Sequence, residues 1–473
     1  MSKFIIFFLL FLTLTACAIG PDYKRPTVTI PGGWRIESSD ARAVANTMWW
    51  EQFNDPVLSE LIQVALKENY DLKIATARVE EYVGRYWVGR SGLFPQIYAG
   101  GGGGQQRSSE RLATPIPSSI NNPSTLYQGA FSGSWEIDVW GRLRRLTEAA
   151  RADLLSTEEG RRAVILTLVT SVANAYVNLR DLDKQLVIAI ETAKSREESY
   201  KLFTLRFEGG VISELELSQV KSEYEQALAR IPVIQKQIAQ QENGISVLLG
   251  RNPGPIPRGK TIDELTLPSI PEGLPSDLLE RRPDIRQAEQ ELIAANARIG
   301  AAKALFFPTI SLTGNFGWAS TDLSRLFSGP AQAWNWAGTF TAPIFTGGSL
   351  LGNYKATQAI QQQLLFNYQK TIQTAFKEVD DSLADQKGTR EQLEAQSRQV
   401  EALKTYAHVA RLRFDNGYTG YIEVLDAERS LFNAQLEYAQ SQGVLFQSLV
   451  NLYKAMGGGW VTEADKMTEV KSP

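Results

Sequence analysis

The chain has 473 residues, is 43% hydrophobic and carries a formal charge of -3, so it can bury a large core and has no basic surplus with which to hold nucleic acid. It contains 1 Cys and 1 His. Thiol, imidazole and zinc chemistry need several such groups together, so no enzyme, cofactor or metal centre is expected, and His408 reads as an ordinary packed or surface residue.

At the N-terminus, Lys3 precedes an apolar run from Phe4 to Leu14. That run is too short for a stable bilayer span but suits a secretory signal. It ends in LTAC, which resembles a bacterial lipobox. Residues 1–16 are therefore expected to be a lipoprotein signal peptide, and Cys17 an acylated anchor in membrane lipid. Ala18, in place of Asp, resembles outer-membrane sorting. Residues 17–54 read as the anchored, extended segment.

Residues 55–250 read as short helix, strand, strand, very long helix, turn and helix. Around Leu93 to Gln105 the strand signal is Gly-rich and weak. Tyr127, Phe131, Trp135, Ile137 and Val139 then alternate with Gln128, Ser132, Ser134, Glu136 and Asp138, the period of a strand with one apolar and one polar face. No proline occurs between Pro123 and Pro232, which leaves room for a helix of roughly 65 residues, or ~100 Å. Ile165, Leu168, Val172, Ala175, Leu179, Leu182, Leu186, Ala189 and Ala193 step by three and four, a coiled-coil seam. Val164, Tyr176, Val177 and Leu202 lie off it and predict neighbours on more than one side. At the end stands LRFEGG, where Gly210 can take the left-handed backbone that stops a helix; Ser213 with Glu216 fits a capping box.

Residues 251–276 hold six prolines and read as an extended linker, placed near the middle of the helical region with residues 18–50 and the tail after Gly457. Within it GPIPRGKT, 254–261, fits the phosphate-loop pattern. Pro255 and Pro257 lack the N–H groups such a loop aims at phosphate, and a helix rather than a strand precedes it, so no ATPase is expected.

Residues 277–456 repeat the first half. Leu205–Gly250 aligns without gaps on Leu412–Gly457, and Asp71–Ile97 on Asp284–Ile310. Phe306, Pro308, Ile310, Leu312, Phe316 and Trp318 alternate with Phe307, Thr309, Ser311, Thr313, Asn315 and Gly317, and Trp334, Trp336, Phe340 and Ile344 with Asn335, Thr339 and Thr341. Leu393, Gln396, Val400, Leu403, Ala407, Ala410 and Phe414 continue the seam, and LRFDNG ends it at Gly417. The tail 457–473 reads as largely disordered past Trp460.

Strands with one aromatic and one polar face fit a membrane barrel wall, and equally a soluble sandwich. Four strands cannot close a membrane barrel, since the narrowest uses about eight. Copies of the chain would have to complete it; two would give a filled barrel and three a lumen.

Six phrases run along the chain: CAIGPDYKRP at 17–26, WWEQFNDPVLSELI at 49–62, WEIDVWGR at 135–142, LLERRPDIRQAE at 278–289, APIFTGG at 342–348 and YIEVLDAERSLFNAQ at 421–435. Together they resemble the outer membrane factor family, the TolC-like channels, in the lipoprotein branch that serves efflux pumps of the resistance-nodulation-division type. The resemblance implies a mainly α fold with a membrane β-barrel. It implies a homotrimer in a Gram-negative outer membrane, with four strands per chain in one twelve-stranded barrel that continues as a twelve-helix periplasmic α-barrel. It also implies a periplasmic adaptor (membrane fusion) protein and an inner-membrane transporter as partners, the chain being their passive exit duct.

Carried over by position, Glu423 and Asp426 match the acidic residues that ring the closed periplasmic entrance. Their spacing places both on one helical face, where such rings favour cations. Glu423 aligns with Glu216, which leaves a helix-capping role open; Asp426 aligns with Gln219. Some relatives latch the entrance with an arginine in the preceding turn, where Tyr418, Thr419 and Gly420 offer none. Arg206, Phe207, Gly210, Ser213, Arg413, Phe414 and Gly417 form two hairpin tips, which the family docks to its adaptor. A coiled-coil scaffold lipoprotein explains the helices but not the strands, while a protein-secretion conduit shares the architecture. The 4 Met do not cluster, so a methionine-lined copper route has no support.

Overall fold

A computed structural model describes residues 18–36, 47–111, 117, 121–270, 275–458 and 460–468. The signal segment and Cys17 lie outside them. After a short 3-10 turn at Trp49–Phe53, the elements are α1 (Pro56–Glu68), α2 (Tyr70–Ser91), β1 (Gln96–Gln106), β2 (Ser124–Ile137), α3 (Arg142–Glu208) and α4 (Glu214–Leu248). A short turn of helix at Leu278–Arg281 opens the second half, followed by α5 (Pro283–Ala304), β3 (Thr309–Ser320), β4 (Gln332–Thr341), α6 (Ser349–Asp415), α7 (Tyr421–Met456) and α8 (Trp460–Lys466). The two halves match in length as well as order. Both α2 and α5 have 22 residues, both α3 and α6 have 67, and α4 and α7 have 35 and 36.

The chain divides into two compact units. One takes in residues 18–27, Val79–Thr157 and Ala288–Tyr368, and contains the whole sheet. There Ala149 and Ala152 of α3 pack with Ala294 and Ala297 of α5 in one buried cluster of small side chains. The segment after Cys17 is fastened to the same unit. Ile19 N–H donates to the Trp140 carbonyl at 3.0 Å, Asn296 donates to the Pro21 carbonyl at 2.9 Å, and Arg145 pairs with Asp22 at 2.6 Å. Glu289 takes Tyr23 and Arg25 together, at 3.0 and 2.7 Å. Residues 18–27 thus do not join the linker, as the reading of 18–50 as one segment had it; these polar partners divide the segment at Thr27.

The other unit holds Val28–Arg78, Glu158–Gln287 and the chain from Gln369 on. Its core contains Trp49, Trp50, Phe53, Tyr453 and Trp460, together with Ile256, Ile262 and Leu265 of the linker. Trp49 stacks on Tyr453 at 5.2 Å between ring centres and meets Trp460 edge-on at 6.0 Å. Burial pushes the Tyr453 hydroxyl up to about 12, so it stays protonated and donates to the Ser269 carbonyl at 2.6 Å. Of the tail expected to be disordered past Trp460, Trp460–Lys466 instead forms α8, and residues 469–473 lie outside the described residues. Trp460, Val461 and Ala464 enter this core, and Asp465 pairs with the buried Arg161 at 2.7 Å. Composition suggested a loose end; three apolar contacts and an ion pair outweigh it.

Asp55 ties the linker to this core. Its carboxylate caps α1 by accepting from Val57 N–H at 2.9 Å, and accepts from the Tyr176 hydroxyl at 2.7 Å and from Lys260 N–H at 3.1 Å. The Tyr176 oxygen in turn accepts from Gly259 N–H at 3.0 Å. A side chain at Gly259 would sit on the Asp55 carboxylate. The backbone N–H groups of the phosphate-loop lookalike are thus spent on the protein itself. Asp55→Ala, which strands three donors, should cost about 3 kcal/mol and lower the melting temperature followed by circular dichroism, with Tyr176→Phe costing less.

Candidate functional site

The sheet runs in the order β1-β2-β3-β4, every pair antiparallel. Its register sorts the side chains. Phe131 faces Phe316, which faces Trp334; Ile137 faces Ile310, which faces Phe340; Trp135 faces Leu312. All these, with Trp336 and Trp318, share one face. On the other are Gln128, Ser132, Ser134, Thr313, Asn315 and Asn335, with Asn315 donating to Asn335 at 3.0 Å. Trp334, Trp336 and Phe340 are 69, 75 and 67% exposed, a density of exposed rings that water-facing sheets do not carry. Strands β1 and β4 each pair on one side only and present an open edge.

The second candidate region is the pair of helix turns. Gly210 and Gly417 both have positive φ, 69° and 76°. Both close the same motif: Val211 N–H bonds the Arg206 carbonyl and Gly210 N–H that of Phe207, and Tyr418 and Gly417 bond Arg413 and Phe414 alike. Past the turn the copies part. Ser213 caps α4, its hydroxyl accepting from Glu216 N–H at 3.3 Å while the Glu216 carboxylate accepts from Ser213 N–H at 2.8 Å. Gly420 stands at the cap of α7 and offers no side chain, so Glu423 does not cap. It accepts instead from the Thr419 hydroxyl and lies 3.7 Å from Arg413. Asp426 pairs with Arg429 at 2.7 Å, both about half exposed.

The tip residues also divide. Arg206 lies over the Phe203 and Phe414 rings, 5.7 Å from each, and Tyr421 packs on both rings at 4.1 and 4.9 Å. Arg206 and Phe414 therefore join the two hairpins inside the chain, whereas Phe207 is 39% exposed. The repeat also places large exposed apolar side chains at four matching pairs of positions: Leu202 with Val409, Leu205 with Leu412, Val211 with Tyr418, and Leu215 with Ile422. Neither glycines nor charges mark these positions in the sequence, although the gap-free alignment holds three of the four pairs. Sequence reasoning missed Arg429 too; its i, i+3 spacing from Asp426 could have shown it.

Comparison with known proteins fits this geometry. The family model for outer membrane efflux proteins matches residues 61–251 and 274–458. The chain belongs to that family. It is 38% identical over 471 residues to the probable efflux pump outer membrane protein TtgC of Pseudomonas putida, covering 97% of each chain. It is 36% identical over 458 residues to the cation efflux system protein CusC of Escherichia coli, covering 95% of this chain and 97% of that one. The solved open state of the Neisseria gonorrhoeae MtrE outer membrane channel superposes with a TM-score of 0.84 at 33% identity, over 94% of this chain and 99% of that one. The chain is thus an outer-membrane protein that extends into the periplasm, and its family is one of efflux channels rather than enzymes. As a local check on the tips, Ser213→Ala should cost about 1 kcal/mol and speed amide hydrogen exchange in the first turn of α4 while leaving α7 unchanged.

Proposed function

We propose that three copies of the chain close one twelve-stranded barrel and form the exit duct of a pump that expels small toxic compounds. The observation that carries this is the four-stranded sheet with an aromatic face and two open edges. In hydrocarbon every backbone N–H and C=O must be paired, and four strands cannot curl far enough to pair β1 with β4 of the same chain. Three copies joined edge to edge satisfy both edges, put the rings toward lipid and turn the Asn and Ser face to an aqueous lumen. Relatives are named for toluene, antibiotic and cation efflux, which supports small solutes as the cargo. In this reading Cys17 carries the lipid anchor. Its neighbours at residues 18–25 are held to the sheet-bearing unit, as an anchor near the membrane requires.

The acidic side chains of α7 form the entrance in this reading. Glu423 and Asp426 from three chains gather six carboxylates, each with its own cation, Arg413 or Arg429, in the same chain. Arg413 takes the place of the arginine missing from residues 418–420. The adaptor docks on the tips, where the paired apolar residues present chemically similar patches on both hairpins. An inner-membrane transporter supplies the energy in this reading.

Reconstitution in planar bilayers tests the duct: the purified protein should be trimeric in detergent and pass ions, and a monomer without current overturns the reading. Asp426→Ala should raise single-channel conductance and weaken block by multivalent cations; unchanged values would remove Asp426 from the entrance. Val211→Asp and Tyr418→Asp together, like bulky residues at Gly210 and Gly417, should abolish efflux in cells while trimers persist, and normal efflux would refute docking there.

A further inference from the structure

Four charged side chains lie within the helical packing next to the tips, one on each helix that meets there. Arg196 of α3 is almost wholly buried; it donates to the Glu223 carbonyl of α4 at 2.7 Å and stands 3.0 Å from that residue's carboxylate. Its guanidinium also lies 5.3 Å from the Phe432 ring of α7. On the other side, Arg411 of α6 lies 3.8 Å from the Glu428 carboxylate of α7 and 6.0 Å from the Tyr421 ring. The repeat does not require any of them. Its other copy has Leu403, Ser430, Thr204 and Lys221 at the positions matching Arg196, Glu223, Arg411 and Glu428. Each half carries one pair of these charges at positions where the other half has different side chains, so neither pair is required by the hairpin itself.

The two carboxylates stand at different distances from their cations. Glu223 has Arg196 at 3.0 Å, although its buried Oε2 accepts no hydrogen bond. Glu428 has Arg411 at 3.8 Å, beyond hydrogen-bonding distance, with the like-charged Glu223 as a further neighbour. Glu428 stands two residues after Asp426 and five after Glu423 on the same helix. We propose that Glu428 is a proton-responsive positioning residue: it fixes the start of α7, and with it the entrance carboxylates, against α3, α4 and α6, and taking up a proton tightens that packing. The inference rests on the entrance reading of Glu423 and Asp426.

The direction follows from the surroundings. Burial raises the proton affinity of Glu428, Arg411 and Arg196 lower it, and Glu223 raises it again, with the net effect upward. Burial likewise weakens the charged form of Arg196, and the buried Tyr421 hydroxyl is pushed up and stays neutral. Arg429, beside Glu428, adds a cation that acts on Arg196. An arrangement in which Glu428 is hydrated binds its proton less tightly than this one. Acid therefore favours the packed entrance; the gain is complete below the ordinary carboxylate range and is lost as pH rises through the raised value. Each unit of difference in proton affinity shifts the packed-to-hydrated ratio about tenfold per chain.

Single-channel conductance of the full chain in potassium chloride between about pH 5 and about pH 8 tests this, because ordinary exposed carboxylates remain ionised over that window. The unaltered channel should conduct several-fold less at the acid end. Glu428→Gln, which mimics the protonated form, should conduct at the low level throughout, so its ratio across the window falls to about one. Should that variant fail to fold by circular dichroism, Arg411→Gln serves instead: it removes the nearest cation and should move the transition to higher pH. A Glu428→Gln channel with the unaltered pH profile, or an Arg411→Gln channel with an unmoved transition, overturns the proposal. Glu423→Gln and Asp426→Asn should change block by multivalent cations yet keep the pH profile. If they abolish the profile, the proton acts at the ring and the proposal falls; if they leave block unchanged, the entrance reading itself is what fails.

Discussion

An unpaired backbone group in hydrocarbon costs several kcal/mol, and much of this molecule can be understood from that one constraint. A sheet with the apolar face of β2, β3 and β4 belongs in lipid, yet the edges of β1 and β4 cannot stay there unpaired. Aqueous edge strands are blunted with charge, proline or bulges. β1 has no such device: Gln96–Gln106 contains five consecutive glycines between its apolar and glutamine ends and no charged residue. An edge so plain is built to be covered, and the polar face opposite the rings indicates what the covered assembly encloses.

The helical part answers a different constraint. A helix of 67 residues is about 100 Å long, and neither propensity nor a single stripe of contacts keeps such a rod straight and in register. The buried seam from Ile165 to Ala193 supplies one contact line, and Tyr176 and Val177, both fully buried, show that a second face is covered as well. Register comes from polar groups with few alternatives. Asp55 accepts three hydrogen bonds from α1, α3 and the linker, and a slip of one residue would break them all. The linker is therefore a strut rather than a tether between the repeats.

Strands, long helices and glycine turns were legible because each rests on local rules: period two, the absence of proline, and the left-handed backbone at Gly210 and Gly417. The capping box at Ser213 was legible for the same reason. Less so was anything decided by contacts distant in sequence. The tail composition says loop, but Trp460 finds Trp49 and Trp50 some four hundred residues away and folds α8 on them. Residues 18–27 look continuous with the segment from Val28 onward until Glu289 and Asn296 hold them. At the tips, LRF occurs twice with one spelling and two fates: Phe414 packs against Phe203 and Tyr421 while Phe207 stays exposed. No pattern within six residues distinguishes them.

That last difference shows how a duplicated fold can acquire a direction. Both halves use the same glycine closure and similar exposed apolar side chains, so anything that docks on the tips meets two comparable surfaces. The charges are not shared. Gly420 replaces the Ser213 cap, which releases Glu423 from the work Glu216 does and lets it face Arg413; Asp426 replaces Gln219. Behind them Arg411 and Glu428 occupy positions that hold Thr204 and Lys221 in the first copy. The second hairpin has thus exchanged local capping for charge, and under the proposed entrance reading the start of α7 is held by its electrostatic surroundings. A hairpin fixed by its own cap suits an outer support, and one held by longer-range charge contacts suits the moving part of an entrance.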